Sequence, residues 1–433
     1  MNNAVSNCVL NSASDDEFFE EFTRRAVQQR VPLDASIELT HRCNLRCVHC
    51  YLGDQKEIRQ HRSDELSTDA FKALLDEMAD AGTLNLTLTG GDPMVRKDFC
   101  TLYEYAVHKG FLITVFCDGA LITPAVRKVF ARYRPRKVEV SVYGATRETY
   151  ESITQVAGSH ARCMEGIEWL AKTGIKFTLK TVLMQHNRHE LDQLREFAAA
   201  YSVPFYFDTA IFACLPHGDN AARANESLKR TSISEIPVQV TSHMASYTTS
   251  HTTSQAISQE SARAMSDASS STSTLHAPLA QRLDPKAAAA AHLSDPRKVE
   301  EMVDLYLRTR DLPFDEHLYR CSAGKTTVHV DPYGNLQPCT ISTNGGYNIR
   351  DGGFAKGWTG PVAEVRTIKA REGSSCQSCD KQALCTGCPA LFAAETGDGR
   401  EKSTYVCETT HLIFDGLKPA IDARLAAQPQ EHR

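Results

Sequence analysis

Residues 35–54 read ASIELTHRCNLRCVHCYLGD, a short alternation of apolar and polar side chains followed at once by Cys43, Cys47 and Cys50. Alternation over 35–40 predicts a half-buried strand, so the three cysteines, at i, i+4 and i+7, stand just past its C-terminal end. A structural zinc site needs four protein ligands, and His49 is a candidate for the fourth in such a knuckle. The other solution is an iron-sulfur cluster held by three cysteines. One iron then lacks a protein ligand and is open to a substrate or cofactor.

Working outward, five more short runs of strand character follow, at 84–89, 111–116, 137–142, 176–183 and 204–208. Helical patterns separate them. Phe71, Leu74, Leu75 and Met78 share one helix face, stopped by Gly82, and a second helix over 98–109 is stopped by Gly110. Strand and helix alternating six times imply parallel strands with right-handed crossovers, either doubly wound or barrel-like. The cysteine triplet, the Gly90-Gly91 turn, Cys117-Asp118-Gly119, Tyr143-Gly144, Gln185 to Asn187 and Asp208 all fall at strand C-terminal ends. A barrel gathers those ends on one rim, where such folds keep their chemistry. The expected fold class is therefore α/β, a partial (β/α)6 TIM-like barrel.

The expected organisation is an N-terminal extension over 1–33, with a helix over 15–29 that opens on a Ser14/Glu17 capping box. The barrel occupies 34–215. An insertion over 216–281 follows, in which 18 of the 40 residues from Thr241 to Ala280 are Ser or Thr. Such a tract cannot bury enough apolar surface to offset its ordering entropy and reads as flexible, with His243, His251 and His276 as solvated bystanders. A helical linker over 282–320 contains a helix at 298–310. A cysteine-rich domain then spans 321–415 and a tail spans 416–433.

Composition narrows the function. The 433 residues are 42% hydrophobic and 23% charged with net charge −5, as in a globular protein. There is no basic excess to neutralise phosphates, so nucleic acid is not an expected partner. The N-terminus shows no cationic start followed by an apolar stretch, and the chain has no run of roughly 20 apolar residues, so neither secretion nor a membrane is expected. The expected location is cytoplasmic. Fifteen cysteines in a reducing compartment point to metal rather than disulfides. Cys8, Cys100, Cys117, Cys163 and Cys214 are scattered and read as small hydrophobes.

The C-x3-C-x2-C spacing after the first strand resembles the radical S-adenosylmethionine superfamily. The resemblance runs from about Ala35 to Asp208 and includes TGGDP, Thr89 to Pro93, where that family carries a Gly-Gly-Glu-Pro turn, with Asp92 in place of the glutamate. It implies a [4Fe-4S] cluster on Cys43, Cys47 and Cys50 with an open iron that chelates S-adenosylmethionine. Gly90, Gly91, Asp92 and Pro93 would contact its methionine moiety through backbone groups, and Ser141 its ribose. His49 and Tyr51 flank Cys50 where relatives often place one aromatic residue, and no role carries over to the Cys117–Gly119 loop.

Further on, Cys321, twelve residues, Gly334, four residues, Cys339, then CQSCDKQALCTGC and Cys407 resemble the SPASM domain of peptide-modifying relatives. The departure is two residues between Cys385 and Cys388 instead of three. Two C-x2-C pairs would also suit a zinc ribbon. The resemblance implies two auxiliary [4Fe-4S] clusters. The outer would sit on Cys376, Cys379, Cys385 and Cys407, and the inner on Cys321, Cys339 and Cys388, which leaves its fourth ligand open. The activity implied is an oxidoreductase-type maturation of a ribosomally synthesised precursor peptide by cross-link, thioether or epimerisation. It would draw electrons from a flavodoxin- or ferredoxin-type donor, with Cys117, Cys163 and Cys214 as candidate hydrogen donors. VYGATRETYESITQVAGS and the RLDP of 282–285 also resemble peptide maturases. Tetrapyrrole side-chain modification is the alternative, and a non-catalytic iron-sulfur or zinc module is the reading from another class.

Overall fold

Strands β1 (Asp34–Thr40), β2 (Asn85–Gly90), β3 (Leu112–Cys117), β4 (Lys137–Ser141), β5 (Phe177–Val182) and β6 (Phe205–Asp208) lie within one or two residues of their expected positions. This is a computed structural model, and it describes residues 15–214, 277–312, 316–342, 345–385 and 387–427. Each strand pairs in parallel with the one before it, giving the order β6-β5-β4-β3-β2-β1. A doubly wound sheet reverses direction partway across; this one never does, which makes it a partial barrel.

Local chemistry sets the helices between the strands. Ser67 caps Thr68–Asp80 by accepting from Ala70 N–H, and Thr123 with Pro124 starts Pro124–Arg132. Gly174, left-handed at φ 64°, ends Ser159–Thr173. Their apolar faces pack on one side of the strands. Ile37, Leu88, Val115 and Val140 meet Phe71, Leu74, Met78, Phe99 and Phe130 in a core where each is at most 2% exposed. Burying each of these side chains stabilises the fold by about 1.5–3 kcal/mol. The opposite face of the strands is left for the site.

Among the described residues the sheet has nine strands, three more than the six expected for the barrel. β7 (Thr327–Val330) pairs in parallel with β1, from Asp34↔Thr327 to Ile37↔Val330, and β8 (Asn335–Gln337) and β9 (Tyr347–Asn348) extend it antiparallel. Asp331 makes the β7–β8 turn, with Oδ1 accepting from the N–H groups of Tyr333 and Asn335 at 2.9 and 2.8 Å. Strands β7, β8 and β9 lie within the cysteine-rich domain expected over 321–415, which thus continues the barrel sheet. The boundary expected at 416 falls inside a helix. Helix Thr404–Ala426 runs through that point, and its Leu417 and Ile421 bury against Val303 of helix Pro296–Thr309.

The N-terminal helix is present as Asp15–Gln28, while Ser14 and Cys8 lie outside the described residues. Of the Ser/Thr-rich insertion only 277–281 is described, as a 3-10 turn, and His243, His251 and His276 lie outside the described residues.

Candidate active site

A cleft of about 680 Å³ opens at the C-terminal ends of β1 to β6. Cys43, Cys47 and Cys50 line it, and so do Gly90, Gly91 and Ser141. Asp92 and Pro93 are buried behind its wall. Asp92 is fully buried, and its carboxylate accepts from Met94 N–H at 2.9 Å and Asp118 N–H at 3.0 Å, so the side chain braces two loops. Burial, reinforced by the Asp118 carboxylate, pushes the Asp92 carboxyl well above its usual range.

The cysteine loop is fastened from several sides. The sheet register slips between Glu38 and Thr40, a bulge that turns the chain out of β1. Cys43 N–H donates to Gln55 Oε1 at 2.7 Å, and Gln55 Nε2 donates to His41 O at 3.1 Å. Asn44 Nδ2 donates to Asp118 Oδ2 at 2.6 Å. Arg42 pairs with Glu65 at 3.0 Å. Arg96, 8% exposed, donates to Leu39 O at 3.1 Å, Leu66 O at 3.0 Å and both oxygens of Asp98.

Gly90 and Gly91 serve this loop directly. A Cβ on Gly91 would stand 2.4 Å from Arg42 O and 2.5 Å from His41 O, and one on Gly90 would stand 2.1 Å from Thr40 O. Only glycine lets the β2 turn lie against the backbone leading into Cys43.

The donor set fits an iron-sulfur cluster. Burial pushes the Cys50 thiol up to about 11, and moves Cys43 and Cys47 in the same direction. Left alone, these are neutral thiols; a bound metal is what converts them to thiolates. Backbone N–H groups already face the sulfurs, from Leu45 to Cys43 at 3.4 Å and from Leu52 and Gly53 to Cys50. Such bonds stabilise thiolate ligands and tune cluster potentials. His49 lines the cleft with its ring 4.8 Å from that of Tyr143, edge on, and burial lowers its pKa to about 4, so it presents a neutral imidazole.

In the C-terminal region Cys376, Cys379, Cys385 and Cys407 line one pocket of about 70 Å³. Cys321 and Cys388 lie close enough to Cys339 for their charges to be felt there. Backbone N–H groups face sulfurs here too, from Ile341 and Ser342 to Cys339 and from Ala390 and Leu391 to Cys388. None of the fourteen described cysteines forms a disulfide. Among the described residues, no three His, Cys, Asp or Glu side chains form a site for a single metal ion.

Several contributors were not read from sequence. Gln55, Asp118 and Arg96 position the loop, and Glu38, 2% exposed inside the barrel, bonds Tyr51 and His41. Burial opposes the Glu38 charge, but the imidazoles of His41 and His329 outweigh it and hold the carboxyl well below its usual range. The available signal was the position of Asp118 at a strand end; Glu38 carried none, because its phase of β1 is enclosed only through the pairing with β7.

A partial barrel whose first strand delivers three cysteines to an open rim defines a class of enzymes that bind S-adenosylmethionine at an iron-sulfur cluster. Residues 37–198 match the Radical SAM superfamily, so the chain carries a Radical SAM domain and is an enzyme. It is 26% identical over 374 residues to an AdoMet-dependent heme synthase of Methanosarcina barkeri, covering 85% of this chain and 94% of that protein. It is 29% identical over 170 residues to a PqqA peptide cyclase of Rhodopseudomonas palustris, covering 39% of this chain and 44% of that one. Among solved structures it is similar to Streptococcus suis SuiB bound to the precursor peptide SuiA, with TM-score 0.55, 15% identity, and coverage of 94% of this chain and 83% of that one. That likeness is one of fold. Among the described residues, no helix is long and apolar enough to cross a membrane.

Proposed function

We propose that this enzyme modifies a ribosomally made precursor peptide, making a cross-link or thioether or epimerising a residue. One observation carries the chemistry: Cys43, Cys47 and Cys50 share a single open cleft with Gly90, Gly91 and Ser141. In this reading the three cysteines hold the [4Fe-4S] cluster. The 90–93 turn and Ser141 hold S-adenosylmethionine. Cys376, Cys379, Cys385 and Cys407 hold an outer auxiliary cluster, and Cys321, Cys339 and Cys388 hold an inner one. When bound, the cluster and S-adenosylmethionine supply a 5′-deoxyadenosyl radical that takes hydrogen from an unactivated carbon.

The chain's own residues do the positioning. Gln55, Asn44 and Arg96 fix the cysteine loop, and the buried wall behind Gly90 and Gly91 keeps water from that side. The peptide substrate is supported by the fold shared with SuiB, whose solved complex contains its precursor peptide SuiA, and by the similarity to PqqA peptide cyclases. A flavodoxin- or ferredoxin-type protein would be the electron donor.

A second reading, tetrapyrrole side-chain modification, is favoured by one observation: the match to the heme synthase spans 94% of that protein. Anaerobic incubation with S-adenosylmethionine, a reductant, and either a small peptide encoded beside this gene or an iron porphyrin bearing propionates separates the two. A mass change in the peptide alone supports the proposal. A mass change in the porphyrin alone overturns it.

A further inference from the structure

Glu38 stands between two cysteine groups that lie almost 300 residues apart in the chain. Tyr51 Oη donates to its Oε1 at 2.9 Å, His41 Nε2 bonds its Oε2 at 2.8 Å, and His329 Nε2 lies 3.4 Å from the same oxygen. Tyr51 directly follows Cys50. On the other side His329 Nδ1 lies 3.4 Å from Thr340 Oγ1, and Thr340 directly follows Cys339. Ser36 Oγ, 2.7 Å from His329 Nδ1, fixes the ring. Glu38, His41 and His329 are 2%, 3% and 1% exposed. β7 is what brings His329 here, through its parallel pairing with β1. The result is one buried polar chain: Cys50, Tyr51, Glu38, His329, Thr340, Cys339.

We infer that Glu38 and His329 are positioning residues that couple the two cysteine sites, so that charge held at the Cys321/Cys339/Cys388 site is felt at the Cys43/Cys47/Cys50 site. The inference rests on the proposed function, which puts a cluster at each. Buried charges act over longer distances than exposed ones, because little water screens them. A carboxylate hydrogen-bonded by Tyr51 and His41 and faced by the His329 ring at 3.4 Å reorients when any one of them moves, and contacts of this outer kind set the potential of a metal site. Tyr51 transmits the change to the backbone carrying Cys50.

The test is an anaerobic redox titration of the reconstituted full-length enzyme, following the first cluster by electron paramagnetic resonance. Cys339→Ala is expected to change the reduced-to-oxidised ratio of that cluster at fixed applied potential by about tenfold, ~59 mV for one electron. In a His329→Phe background the same substitution should change it less than about twofold, because the chain is cut. His329→Gln, whose amide can bridge both sides, should restore most of the response. Thr340→Val cuts the distal link at a smaller side chain and should act like His329→Phe if that variant does not fold. A tenfold response that survives in both cut variants, or no response to Cys339→Ala in the parent enzyme, overturns the inference alone. Iron analysis showing no cluster at either site overturns the inference together with the proposed function.

Discussion

Replacing Gly91 with alanine should disable the site while leaving the fold in place. The new Cβ would meet Arg42 O at 2.4 Å, and relieving that contact to an ordinary carbon–oxygen separation of about 3.3 Å moves the carbonyl by about 0.9 Å. The displaced segment is the one that presents Cys43, and it has little room to yield. Cys43 N–H is held by Gln55, and Asn44 by Asp118, at 2.7 and 2.6 Å. Overpacking of this kind costs about 1–3 kcal/mol of stability, which a large core absorbs. A displacement near 1 Å in a reacting constellation costs on the order of 10²-fold in rate. The expected outcome is roughly a hundredfold loss of 5′-deoxyadenosine formation, with reduced iron content and a modest drop in melting temperature. Gly174→Ala is the control. That glycine has φ 64° with nothing within 4 Å of a new Cβ, so the variant should lose about 1 kcal/mol with iron and cleavage unchanged. If Gly91→Ala keeps the parent's iron content and cleaves S-adenosylmethionine within threefold of it, the argument that this glycine seats the cysteine loop is wrong.

Three further outcomes follow from the same contacts. Arg96→Met strips the buried donors from Leu39 O and Leu66 O and leaves Asp98 without its ion-pair partner, with only the Thr68 hydroxyl on it, so denaturant titration should show a loss of about 3–5 kcal/mol. Gln55→Ala removes two hydrogen bonds from the loop, at Cys43 N–H and His41 O, and should lower iron retention under chelator challenge while costing about 1–3 kcal/mol. Burial opposes the charge on Asp98, but hydrogen bonds from Arg96 and Thr68 outweigh it and bring its carboxyl down to about 2. Because its folded value lies below its unfolded one, this carboxylate stabilises the fold above about pH 4. That contribution, about 2 kcal/mol, should disappear as pH falls toward 2, and Asp98→Asn should flatten this part of the acid-unfolding profile.

The contrast between what the chain disclosed early and what it withheld has a physical origin. Strands β1 to β6 and their helices were legible because each is fixed by neighbours a few tens of residues away: an alternating run, a cap such as Ser67, a stop such as Gly174. The gathering of the cysteine triplet at one cleft was legible because its three members fall within eight residues. β7 was not, although T-V-H-V before D-P-Y-G-N has strand and turn character, because only pairing with a strand about 290 residues upstream gives those four residues a place. The polar residues inside the barrel were hidden for a related reason. Ser36, Glu38 and His329 look like the solvent phase of their strands, and nothing local says that this phase is enclosed. Extending the sheet past β1 with a segment from the C-terminal region is what encloses that phase. The same pairing therefore buries Glu38, supplies its partner His329 and brings Cys339 within two side chains of β1. If that is how the molecule works, the C-terminal region is not an appendage carrying extra metal. It is the last wall of the barrel, and substitutions that loosen β7, such as Val328→Asp, should release iron from the first site as readily as from the C-terminal ones.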